Sequence, residues 1–89
     1  MSIDRLRFMN LPAANGAHAA YRLVDTLQGL TPEEQLAGTA ILFVNVADLF
    51  GMPVPDVVQA VRNMTTDPKH GERDEFRALR LYVQGELAS

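Results

Sequence analysis

The chain has no cysteine, which removes disulfides, thiolate metal sites and thiol nucleophiles together. Its only serines, Ser2 and Ser89, stand at the two ends of the sequence and offer no setting for serine catalysis. His18 and His70 are the only imidazoles and stand far apart in the sequence, so no metal is expected. No glycine-rich phosphate loop is present. The longest unbroken apolar run is Ala40 to Val44, well short of the ~20 residues that span a bilayer. The first ten residues, MSIDRLRFMN, lack the hydrophobic stretch of a secretory signal. These absences lead us to expect a non-enzymatic, cytoplasmic protein with no cofactor and no membrane partner.

Cations are also missing from one region. Residues 23–61 contain neither Lys nor Arg, but do contain Asp25, Glu33, Glu34, Asp48 and Asp56. Arg5, Arg7 and Arg22 face a single Asp4 in residues 1–22, and residues 62–89 balance five basic groups with five acidic ones. The middle of the chain is thus purely acidic within a net charge of −3.

What is present in abundance is apolar surface on a single segment. In EEQLAGTAILFVNVADLF, residues 33–50, Leu36, Ala40, Phe43, Ala47 and Phe50 follow the spacing of a buried helical seam. Ala37, Val44 and Val46 widen it, while Ile41, Leu42 and Leu49 project from the far side among Glu34, Gly38, Asn45 and Asp48. A helix apolar nearly all round is either the centre of a bundle or is covered by another molecule. With 89 residues there is room for one domain and one modest core. Small domains without disulfides or metals commonly gain stability from a second subunit.

The expected architecture is all-α: a single domain, 1–89, forming a compact bundle of four helices with an amino-terminal arm. Residues 12–16, PAANG, read as a turn before a helix whose stripe is Ala17, Ala20, Tyr21, Val24 and Leu27, closed by Gly29. The central helix, about 32–50, opens on a capping box of Thr31 and Glu34 with Pro32 at its first position. Gly51 ends it, and Met52-Pro53-Val54-Pro55 makes a stiff connection. A third helix then starts at Pro55, with Val57, Val58, Val61 and Met64 inward. Residues 65–71 read as a loop, and a last helix over about 72–87 carries the stripe Phe76, Leu79, Val83 and Leu87, with an Asp74–Arg77 pair. For the arm, residues 3–11, a short helix capped by Ser2 is preferred; alternation of Leu6 and Phe8 would also suit a strand paired with a second chain.

Three surfaces are candidates for function. Ile41, Leu42, Asn45 and Leu49 are expected to mediate self-association, since the arm or last helix of the same chain, or a second copy, must cover that side. Gly38 costs about 1 kcal/mol relative to Ala in mid-helix and suggests close approach of another backbone. Arg73, Arg77 and Arg80 line one face of the last helix and suit an acidic partner, including the cation-free middle of the chain itself. The third is a DNA-contacting element. Residues 43–62 place Ala47, Gly51, Val57 and Ala60 where a helix-turn-helix needs them, with Gln59 and Arg62 on the exposed side. Arg5 and Arg7 would serve a paired amino-terminal ribbon. Charge weighs against DNA, because affinity for phosphates comes largely from cations. The expected function is therefore a self-associating protein-binding module that regulates, inhibits or adapts a partner protein.

Overall fold

A computed structural model describes residues 2–87. The fold is all-α, a bundle of five helices with one two-residue strand pair. They are α1 (Arg5–Met9), α2 (Ala13–Leu27), α3 (Pro32–Leu49), α4 (Val54–Thr65) and α5 (Asp74–Leu87). Between α4 and α5, β1 (Thr66–Asp67) pairs antiparallel with β2 (Gly71–Glu72).

The arm is a helix, so the ribbon built from Arg5 and Arg7 has no strand to start from. Its cap is Asp4 rather than Ser2: the Leu6 and Arg7 amides donate to Asp4 Oδ1 at 3.0 and 3.2 Å. Asp4 occupies the N-cap position next to Arg5, whereas Ser2 lies two residues too early to reach these amides. Helix α2 begins inside PAANG, where a turn was expected. Pro12 sits at its N-cap with φ −57°, already set for helix entry, and Ala13 and Ala14 propagate it. Gly16 lies within this helix, and a Cβ there would meet Met64 Sδ at 3.6 Å, an ordinary van der Waals distance.

At the α3 N-terminus the capping box is complete. The Glu34 amide donates to Thr31 Oγ1 at 3.2 Å, and the Thr31 amide donates to Glu34 Oε1 at 3.0 Å. These bonds to the ionised carboxylate hold the Glu34 pKa below its ordinary value. At the other end Gly51 adopts φ +70°. The Met52 amide donates to the Ala47 carbonyl at 2.9 Å and the Gly51 amide to the Asp48 carbonyl at 3.2 Å. This is a Schellman closure, accompanied by burial of both Ala47 and Met52. The chain thereby turns through 106° into α4. Helix α4 starts one residue earlier than expected, at Val54, and its inward residues are Val54, Val57, Ala60 and Met64. Val58 and Val61 fall on its exposed border instead.

Two small cores result. Helices α2 and α5 lie side by side, with Ala17 and Val24 buried and the rings of Tyr21 and Tyr82 5.0 Å apart. The Tyr82 hydroxyl donates to Asp25 Oδ1, and Gln28 Nε2 donates to Glu86 Oε2 at 2.6 Å. The hydrogen bond to Asp25, with some desolvation, pushes the Tyr82 pKa up to about 12. The second core is the α3–α4 corner around Ala47 and Met52. Helix α3 is otherwise joined to the first core by Gln35, whose Nε2 donates to the Leu27 carbonyl at 3.1 Å.

Enclosure is incomplete. The molecule is a slab of 37 × 34 × 18 Å with a radius of gyration of 13.8 Å, against about 12 Å for a closed 89-residue domain. Its accessible surface is 6694 Å² for 9.8 kDa, roughly 1,500 Å² more than a monomeric protein of that mass exposes.

Candidate protein-interaction surface

Exposed apolar side chains occur on every helix, and α3 carries the largest group of them. Only Ala47 is buried along its 18 residues, with Gln35, Phe43 and Phe50 at its C-cap half-buried. The inward seam is covered in its carboxy-terminal half alone: Leu36, at the other end of that seam, is 75% exposed. On the far side Ile41 is 63% exposed, and Leu42 and Leu49 are 52% exposed each. No element of the same chain, among the described residues, has closed over this side.

Successive residues rotate by 100° about a helix axis, which sorts the far side into two groups. Gly38, Leu42, Asn45 and Leu49 fall within about 60° of one another, at the i, i+4, i+7, i+11 spacing of a helix-pairing seam. Ile41 stands apart from Leu42 by about 100° and borders that seam rather than belonging to it. The Asn45 side chain donates from Nδ2 to the Ile41 carbonyl at 2.8 Å, which leaves its carbonyl oxygen free to accept. The sequence grouped Ile41 with Leu42, Asn45 and Leu49; on the helix Ile41 stands at the margin of the other three.

Beside the seam lies an open apolar groove of about 310 Å³ between α2, α3 and α5. Gly38 and Leu42 form one wall, Leu23 and Leu27 another, and Val83 and Leu87 the third. Its only polar side chains are Thr26 and Thr39. Thr26 Oγ1 bonds the Leu23 carbonyl and Thr39 Oγ1 the Gln35 carbonyl, both at 2.7 Å, so each hydroxyl donates into its own helix. The groove has no converging charged or catalytic groups. Its chemistry is that of apolar side-chain burial. It was not legible in the sequence, because it depends on how α2 and α5 are placed against α3.

The three arginines do not form a stripe. Arg73 precedes α5, and its guanidinium Nε donates to the Met64 carbonyl at 3.0 Å while its amide donates to the Thr65 carbonyl. It ties the start of α5 to the end of α4. Arg80 engages both carboxylate oxygens of Glu72, the shortest contact being 3.1 Å. Arg77 lies on the exposed face of α5, and the expected Asp74–Arg77 pair is not among the two ion pairs of the described residues. The other ion pair joins α1 to α4, with Arg5 3.8 Å from Asp56. An arginine of the arm, rather than one from α5, thus meets the acidic middle of the chain.

The residues proposed for DNA contact are divided in a similar way. Arg5, Asp56 and Gln59 line one recess with Met9 and Asn63. Gln59 Nε2 donates to Asn63 Oδ1 at 3.0 Å, and Arg62 and Arg7 are exposed. His18 lies on the surface near Asn15 and Arg22, and His70 sits in the turn between the two strands. Among the described residues no group of three or more His, Asp or Glu is placed to hold a metal ion. No single helix of that set is long and apolar enough to cross a membrane. Compared with family models, curated proteins and solved structures, the chain matches none.

Proposed function

We propose that this chain is a non-enzymatic protein-binding module that self-associates through α3 and regulates, inhibits or adapts a partner protein. The observation that carries the reading is the bare far side of α3, where Leu42 and Leu49 stand half exposed on a helix with one buried residue. Exposed apolar side chains grouped on one face are a mark of association sites. The surplus of roughly 1,500 Å² is larger than the ~800 Å² that each partner contributes to a standard interface. Light scattering behind size exclusion tests this directly. Wild type is expected to run as a dimer or larger, and Leu42→Arg as a smaller species, because a guanidinium cannot be buried there unpaired.

A second reading, a DNA-binding regulator, is favoured by one observation. The 106° corner between α3 and α4 lies within the range of helix-turn-helix crossings. The charge layout opposes it, since Asp56 stands at the entrance of the would-be recognition helix and its one cationic neighbour, Arg5, is spent on it. Fluorescence anisotropy with labelled duplex at low salt is expected to show no binding; salt-dependent binding would favour the regulator.

A further inference from the structure

Self-association names no geometry, and α3 supplies one. We propose that the occupant of the α2–α3–α5 groove is a second copy of this chain, docked as an antiparallel α3–α3 pair. In this pair Leu49 of each copy seats against Gly38 of the other. The inference rests on the self-association reading above and specifies its contacts.

Gly38 is the first observation. A Cβ built at this position meets nothing within 4 Å. Its neighbours in the same chain therefore give no reason for glycine in mid-helix, where Ala would be more stable by about 1 kcal/mol. A reason appears if another helix approaches closely at that point. Gly38 is also a wall of the open groove, so the space above it connects with an apolar recess large enough for a leucine side chain.

Register follows from the seam. Gly38, Leu42, Asn45 and Leu49 are symmetric about the midpoint between positions 42 and 45. A two-fold axis there sets the missing side chain at 38 against the large one at 49 and sets Leu42 against Asn45. Large against small is the complementarity that close-packed helices require. Two-fold symmetry also makes one patch serve both copies, as in most homodimers.

Direction follows from charge. Residues 23–61 hold no cation, and α3 carries Glu33 and Glu34 at its start and Asp48 at its end. A parallel pair would set Glu34 beside Glu34 and Asp48 beside Asp48 with nothing to neutralise them. The antiparallel pair staggers these carboxylates and opposes the two helix dipoles favourably. Area agrees as well, because the surface surplus of the chain exceeds what one side of a stable dimer buries.

The absence of native cysteine makes the test clean. Gly38→Cys and Leu49→Cys variants are prepared separately, mixed, oxidised and resolved by mass. Disulfides need Cα atoms about 4.4–6.8 Å apart, so the mixture is expected to yield the 38–49 heterodimer in excess over either homodimer. Predominant 38–38 or 49–49 bridges, or no bridge from a protein that scatters as a dimer, would overturn the inference while leaving self-association standing. A wild-type monomer would overturn both. A second variant guards against misfolding. A Cβ at Gly38 meets nothing within 4 Å, and Gly38→Leu is expected to raise the melting temperature of the single chain while weakening dimerisation at least about tenfold. An unchanged dimer constant for Gly38→Leu would contradict the seating of Leu49.

Discussion

Helices α2 and α3 are similar in length and differ in how their apolar residues are distributed, and their fates in the fold differ accordingly. On α2 the stripe Ala17, Ala20, Tyr21, Val24 and Leu27 occupies one side, and α5 covers it, so every member is buried or half-buried. On α3 apolar residues occupy two sides; α4 packs against its carboxy-terminal end and Gln35 bonds α2, while Leu36, Ile41, Leu42 and Leu49 stay exposed. A one-sided helix is satisfied by one neighbour, whereas a two-sided helix needs two. The second is missing from this protomer. The contrast teaches that a short chain can specify good helices throughout and still stop short of a closed core.

Substitutions in the two regions should separate sharply. Met52 and Val24 are buried in their cores, so Met52→Ala is expected to cost about 2–4 kcal/mol and Val24→Ala somewhat less. Leu36→Ala, at a residue 75% exposed, is expected to fall within about ±0.5 kcal/mol. Urea unfolding at a protein concentration low enough to hold the monomer measures all three. A loss at Leu36 as large as that at Met52 would erase the difference between the regions.

Smaller effects sharpen the same contrast at the helix ends and along the α2–α5 seam. Thr31→Ala removes one half of the α3 capping box and is expected to cost about 1 kcal/mol. Helix α3 has little tertiary support near its start, so amide exchange should rise first in residues 33–38 rather than across the whole domain. The Tyr82 hydroxyl makes the weakest prediction in size and the clearest in sign. Its folded pKa of about 12 lies above the ordinary 10.0. The α2–α5 contact is thus fully supported below pH 10 and loses that support as pH rises through about 12. Thermal melts of wild type and Tyr82→Phe should differ most below pH 10 and converge as pH rises from 10 to about 12.

Much of this was readable from residues because the signals were local. Thr31, Pro32 and Glu34 define a helix start through contacts three residues apart, and Gly51 defines its end through a positive φ. The stripes of α2 and α5 were readable for the same reason. What failed was either too short or too distant. Pro12 opens α2 where composition suggested a turn, since the alanines after it favour helix more than Asn15 and Gly16 oppose it. The strand pair at 66–72 has two residues per strand, below any periodic signal. Arg73 reads as part of a helical stripe, but its role is set by the Met64 carbonyl nine residues earlier. The far side of α3 was legible as a surface in need of cover; the groove beside it required knowing where α2 and α5 lie.

If α3 takes its second neighbour from another copy of the chain, the protein in solution is at least a dimer. Light scattering of the wild-type chain behind size exclusion, at tens of micromolar and moderate salt, is the shortest route to that question. A mass of twice 9.8 kDa or more is the expected result. A single sharp peak at 9.8 kDa, unchanged on concentration, would contradict it.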